Sequence, residues 1–122
     1  MQIRVLSQSL QSGIDNIEAV KRRSAFVLDR FVDRIRVLRV RIVDDNGPKG
    51  GIDQRCEIGV SLTDGRQLRA RARAALIPDA IDRALRRLAH AMARAHSREL
   101  AQRRKVRMRR QRVQAAGHLQ LG

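Results

Sequence analysis

Arginine recurs in this chain at two structural periods. In Arg69-Ala70-Arg71-Ala72-Arg73-Ala74 it stands at every second position, which on a β-strand puts its guanidinium groups on one face and the alanine methyls on the other. Further on, Arg83, Arg87, Arg94 and Arg98 recur at helical spacing, with His90 in the gap and Arg86 beside them. The chemistry open to such groups is anion binding. A guanidinium is a planar fork that donates to two phosphate oxygens at once and keeps its charge at any physiological pH. A strand and a helix that each carry fixed cations opposite an apolar face are suited to lie on a polyanion.

Other chemistries find no support in the residue pattern. No carboxylate pair, Ser/His/Asp set or Cys/His pair is apparent, so no catalytic residue and no enzyme is expected. His90, His96 and His118 lack a second ligand at convergent spacing, so neither a metal nor a cofactor is expected. Gly47-Pro48-Lys49-Gly50-Gly51 lacks the spacing of a nucleotide-binding loop. Lys49 there either approaches a phosphate closely or belongs to a simple turn. Cys56, the one cysteine, reads as a small core hydrophobe and excludes an internal disulfide.

The composition agrees with nucleic-acid binding by charge and shape. Net charge is +15 over 122 residues, a self-repulsion usually tolerated where a polyanionic partner neutralises it. Lysine stands only at Lys21, Lys49 and Lys105 among the 27 basic residues, and the rest are arginine. Hydrophobic content of 43% is enough for one core, and the length allows one domain. No apolar run approaches a membrane span, and the opening Met-Gln-Ile-Arg-Val-Leu does not read as a signal peptide, so a cytoplasmic protein with no membrane partner is expected. Aromatics are limited to Phe26 and Phe31, both read as core, which disfavours recognition by stacking bases on exposed rings.

The elements that must position these groups follow from hydrophobic period. Residues 2–7 alternate around Ile3 and Val5 and predict a strand. Ser9 to Gly13 reads as a polar link. Asp15 and Glu18 form a capping-box pattern that opens a helix near Asn16. Its stripe is Ile17, Val20, Ser24, Val27, Leu28, Phe31 and Ile35, with Arg23, Arg30 and Arg34 on one flank. Leu38, Val40 and Ile42 alternate with Arg39 and Arg41 in a second strand, and the turn-rich stretch Asp44 to Asp53 is a loop. Cys56, Ile58, Val60 and Leu62 face inward from a third strand, and Asp64-Gly65 predicts a type I′ turn. A fourth strand carries Leu68, Ala70, Ala72 and Ala74 inward, leaving room for a close helix. That helix opens at Pro78 and buries Ile81, Ala84, Leu85, Leu88, Met92 and Ala95. From Gln102 the cations repel one another, and the chain is expected to fray into a basic arm including Arg103 and Arg104.

The expected fold is therefore α+β in the order βαβββα. A four-stranded mixed sheet carries both helices on one face, as in double-stranded-RNA-binding domains, with residues 1–101 forming the domain and 102–122 a flexible tail. The uncovered face would show Arg4, Arg39, Arg41, Arg55, Arg69, Arg71 and Arg73 against Glu57 alone.

This order, with these residues, resembles the hibernation-promoting factor family, which includes ribosome-associated inhibitor A and proteins once called sigma-54 modulation proteins. The resemblance rests on the Met-Gln-Ile opening strand, Leu28-Asp29-Arg30-Phe31 at the end of the first helix, and Asp44-Asp45-Asn46-Gly47-Pro48-Lys49-Gly50-Gly51 ahead of Arg55-Cys56. Asp79-Ala80-Ile81-Asp82 before Leu85 and Leu88, and the basic C-terminal end, complete it. It covers about residues 1–100 and implies a non-catalytic short form that docks in the mRNA channel of the small ribosomal subunit. Family basic positions match at Arg30, Arg87, Arg94 and Arg98, and His90 is a further match. Ser24 and Val27 stand where related proteins often carry Lys or Arg, and Ile77-Pro78 replaces an aromatic entry to the last helix.

The expected function is a translation inhibitor, monomeric off the ribosome, that occupies the decoding channel through rRNA phosphates and excludes mRNA and tRNA. It needs no small-molecule substrate. The expected contacts are Arg23, Arg30, Arg83, Arg86, Arg87, His90, Arg94 and Arg98. Secondary contacts are Lys49, Arg39, Arg41, Arg69, Arg71, Arg73, Arg103 and Arg104. Neutralising roughly six to ten phosphates makes binding fall about a thousand-fold or more between low and moderate salt. The alternatives are a free-standing double-stranded-RNA-binding protein and a constitutive ribosomal protein.

Overall fold

The computed structural model describes residues 1–7, 14–44 and 54–121. The link at residues 9–13 and most of the glycine-rich loop, Lys49 included, lie outside them. The chain forms β1 (Gln2–Ser7), α1 (Ile14–Val27), a 3₁₀ segment (Asp29–Arg34), β2 (Ile35–Asp44), β3 (Gln54–Leu62), β4 (Gln67–Ala74) and α2 (Ile77–Leu121). This is the α+β order expected from the sequence. It divides into two compact units, Met1–Met92 and Ala93–Gly122, and the division falls within α2.

In the first unit the sheet order is β1-β2-β3-β4. β1 runs parallel to β2, with Ile3 opposite Leu38 and Val5 opposite Val40, while β2, β3 and β4 are antiparallel. A parallel pair cannot be joined by a tight turn, and α1 supplies the crossover. Alternation then sorts the side chains. Leu38, Val40, Ile42, Cys56, Ile58, Val60, Leu62, Ala72 and Ala74 are buried, whereas Arg39, Arg41, Arg69, Arg71 and Arg73 are exposed. Val20, Ser24, Leu28 and Phe31 come from the α1 side, and Ala80, Ile81, Ala84, Leu85, Leu88 and Met92 from α2. Full burial of Leu28, Leu38, Leu85 and Leu88 stabilises the unit by roughly 1.5–3 kcal/mol each. The alanines buried on both β4 and α2 keep the intervening layer thin. As a result, side chains from α2 reach the β4 backbone.

Burial also decides the chemistry of Cys56. Desolvation, with a smaller contribution from the Glu57 charge, pushes its thiol up to about 12. It stays protonated and behaves as a small apolar residue.

Five local expectations are corrected. Phe26 is 76% exposed, whereas Phe31 is buried as expected. Phe26 lies two residues beyond fully buried Ser24, about 200° around the helix, so helical geometry turns it outward despite its hydrophobicity. Ile35 is not on the first helix: α1 ends at Val27, the 3₁₀ turn closes with Phe31 N–H donating to Leu28 O at 2.9 Å, and Ile35 opens β2. Apolar residues at 28, 31 and 35 keep a helical spacing through that tighter turn, which is why the sequence reads as unbroken helix. The start of α1 at Ile14 puts Asp15 and Asn16 inside its first turn.

The β3–β4 connection is not type I′, which needs positive φ at both central residues. Only Gly65 has it, at 92°, and its N–H donates to Leu62 O at 3.0 Å. Asp64 accepts from the Arg66 backbone N–H at 3.0 Å and from its guanidinium, which holds the Asp64 carboxyl below its usual range. Finally, α2 does not fray at Gln102 but stays helical to Leu121. Arg, Lys, Gln and Met are good helix formers, no Gly or Pro stands between Pro78 and Gly117, and Glu99 pairs with Arg103 at 2.9 Å.

Candidate nucleic-acid interface

The two arginine periods meet at the free edge of β4. As the outermost strand, β4 leaves backbone carbonyls without strand partners. The α2 side chains fill them: Arg83 Nη1 donates to Arg73 O at 3.0 Å, and Arg87 Nη1 donates to Arg71 O at 2.5 Å. One N–H of each guanidinium is used at the sheet edge, and a guanidinium carries four more donors. The hydrogen bonds fix where those charges stand.

Because antiparallel pairing sets Arg55 opposite Arg73, and Glu57 opposite Arg71, β3 contributes as a third element. Arg55, Arg71, Arg73 and Arg87 line one hollow of about 380 Å³. Arg55 also lies 3.4 Å from Glu57, the one acidic side chain among the described residues on this part of the face. Several guanidiniums around one opening repel one another in water, and a multivalent anion seated there would relieve that repulsion. Spacing along each element shows the helix stripe and the sheet face separately. Alternation places Arg55 on that face, but Arg55 is not among the contacts expected from sequence, because its partner Arg73 is set by register.

The other candidates divide. Arg86 and His90 are exposed on α2, in the same unit. Arg30 is exposed on the 3₁₀ segment, with its guanidinium 4.7 Å from the centroid of the Phe31 ring. That stacking holds the charge over a buried anchor. Arg23 is committed differently: Nε and Nη2 bond Asp82 Oδ1 and Oδ2 at 2.6 and 3.1 Å, and it stands 5.7 Å from the Phe26 ring. This bidentate pair joins α1 to α2 and lowers the charge Arg23 has to offer a phosphate. Arg39, Arg41, Arg69, Arg71 and Arg73 lie on the uncovered sheet face as expected.

In the second unit, Arg94, Arg98, Arg103 and Arg104 are all exposed on helical backbone. Arg103 is held by Glu99, and no acidic residue follows Glu99 in the chain. Among the described residues, no cluster of three or more His, Cys, Asp or Glu side chains could hold a metal ion. Among them, too, no helix is long and apolar enough to cross a membrane.

Solved structures share this architecture. A ribosomal subunit interface protein from Coxiella burnetii superposes with a TM-score of 0.68 at 12% identity, over 80% of this chain and 99% of its own. At that identity the likeness is one of fold. The N-terminal domain of Protein Y from Thermus thermophilus matches with a TM-score of 0.62 at 26% identity, over 77% of this chain and 98% of its own. No family model matches the chain, and no curated protein sequence does. The fold and these neighbours agree with the resemblance to the hibernation-promoting factor family carried by the sequence.

Proposed function

We propose that this chain, which shares its fold with ribosome-interface proteins, is a ribosome-associated hibernation factor. It binds the small subunit's decoding channel through rRNA phosphates and sterically excludes mRNA and tRNA. The observation that carries this reading is the convergence of Arg55, Arg71, Arg73 and Arg87 on one hollow, with Arg83 and Arg87 pinned to the β4 edge. Pinned guanidiniums match a fixed pattern of phosphates at low entropic cost, and ribosomal RNA presents such a pattern. Arg30, Arg86 and His90 add contacts from the first unit, and Arg94 and Arg98 from the second. Arg23 contributes chiefly by positioning, through Asp82. The action is steric rather than catalytic, and the setting is the cytoplasm, with the protein monomeric off the ribosome.

The neighbours' names support a ribosomal partner, and the charge and edge geometry support rRNA phosphate as its chemistry. The test is sedimentation of the full chain with isolated small subunits, large subunits and naked duplex RNA, together with its abundance on ribosomes from growing and starved cells. Retention on small subunits, enriched in starvation, is expected. Equal affinity for naked duplex would instead identify a free-standing double-stranded-RNA binder. Constant occupancy in growth and starvation would identify a constitutive ribosomal protein.

A further inference from the structure

Gly59 stands in the middle of β3, a central strand, where glycine is a poor choice because it loses the most entropy on ordering and packs nothing. Neither usual justification applies. Its φ is not positive, Gly65 being the described glycine that has that conformation. Nor is it squeezed: a Cβ built on Gly59 meets no atom within 4 Å. Nothing in the described chain requires this glycine. Its neighbours across the sheet are Arg39 on one side and Arg69 on the other, with Arg4 opposite Arg39 on β1. On the uncovered face the row therefore reads cation, cation, gap, cation. A concavity of about 670 Å³ lies over it, bordered by Arg39, Arg41, Arg69 and Arg71, with Glu57 and Leu6 toward one end.

The dimensions select the occupant. Neighbouring strands lie about 4.8 Å apart, so the β2 and β4 rails are separated by roughly 10 Å, with Gly59 as the floor between them. A nucleic-acid duplex is too broad to enter, and one sugar–phosphate strand fits. Each guanidinium fork suits a pair of phosphate oxygens. The chain's two aromatic residues, Phe26 and Phe31, are both outside this sheet, so no ring is on hand to stack a base. Glu57, one row away between Arg41 and Arg71, leaves the Gly59 row as the uniformly cationic seat.

We propose that the uncovered sheet face is a binding site for the sugar–phosphate backbone of a single RNA strand, one phosphate resting over Gly59 between Arg39 and Arg69. Close approach of that backbone is the reason for the glycine. Binding there is independent of base identity. Such binding does not require a ribosome, and naked single-stranded RNA is the probe.

The experiment titrates the full chain with short oligouridylate and oligoadenylate while following the Arg39, Arg69 and Arg87 Nε–H signals by NMR. Gly59→Ala and Gly59→Val leave every charge in place, and the open space around Gly59 together with valine's strand preference should keep both folded, checked by thermal midpoint. The expected result is that Arg39 and Arg69 shift alike with both oligonucleotides. Their apparent affinity should fall stepwise, by roughly tenfold for Gly59→Val with a salt slope shallower by about one, while the Arg87 response persists. Should either variant unfold, the Arg39 and Arg69 shifts in the unaltered chain still decide. Unshifted Arg39 and Arg69 signals, or equal affinity in all three proteins, would overturn the proposal. Equal, Gly59-dependent binding of oligoglutamate would overturn the assignment to RNA. None of these outcomes depends on whether the protein sediments with ribosomes.

Discussion

Replacing Arg83 and Arg87 together by glutamine separates what the β4 edge does for the fold from what it does for binding. Each arginine donates one hydrogen bond to a β4 carbonyl in an exposed setting. Such bonds contribute about 0.5–1.5 kcal/mol, and water replaces them in part, so the pair should cost roughly 1–2 kcal/mol. In a domain of this size that lowers the thermal midpoint by about 4–8 °C for each kcal/mol. The binding effect is of another kind. If each guanidinium neutralises one phosphate, losing both removes two released counterions, and the slope of log affinity against log salt becomes shallower by about 1.4–1.8. Sedimentation with small subunits over a series of potassium concentrations reads that slope directly, below the lowered midpoint. The lysine pair Arg83→Lys/Arg87→Lys keeps the charge and loses the fork, so it should retain most of the slope while binding more weakly. If the glutamine variant gave a salt dependence parallel to the parent's, these two arginines would be structural staples of the sheet edge and nothing more. The placement of the RNA interface would then be wrong.

Two further outcomes test the packing. Ser24 is fully buried and its Oγ has no hydrogen-bond partner, so Ser24→Ala should raise stability by about 1 kcal/mol in urea denaturation. A loss of stability would mean the hydroxyl is satisfied. The Cys56 thiol should resist a thiol reagent at neutral pH until the protein unfolds. Its folded value is raised from 9.0 to about 12, so its contribution is complete below pH 9.0 and declines between 9.0 and about 12, where the unfolded chain ionises and binds fewer protons. Cys56→Ala should lack that decline, and an identical alkaline profile in both proteins would refute the burial argument.

Much of this architecture is legible locally. A two-residue or 3.6-residue repeat is a property of the chain itself, so the strands, the inward faces and the basic stripe of α2 follow from spacing before any packing is known. The misreadings have local causes too. Residues 28, 31 and 35 carry the same apolar spacing through a 3₁₀ turn and into β2, and the cationic run after Gln102 has helix propensity enough to offset its repulsion. For Phe26 the roughly 200° that separates it from Ser24 is a local signal of outward placement, and it outweighs side-chain type.

The βαβββα order, the core positions and the sorting of arginine away from them are written in the chain, because each depends on residue type and period along one element. Which arginines keep company is a matter of packing. Arg23 is drawn to Asp82 across 59 positions, Arg83 and Arg87 to the β4 edge, Arg55 to Arg73, and an open floor is left at Gly59 between Arg39 and Arg69. Those pairings depend on strand register and on how closely α2 approaches the alanines of β4. Both arise from many weak packing contacts acting together, and no short stretch of sequence carries them.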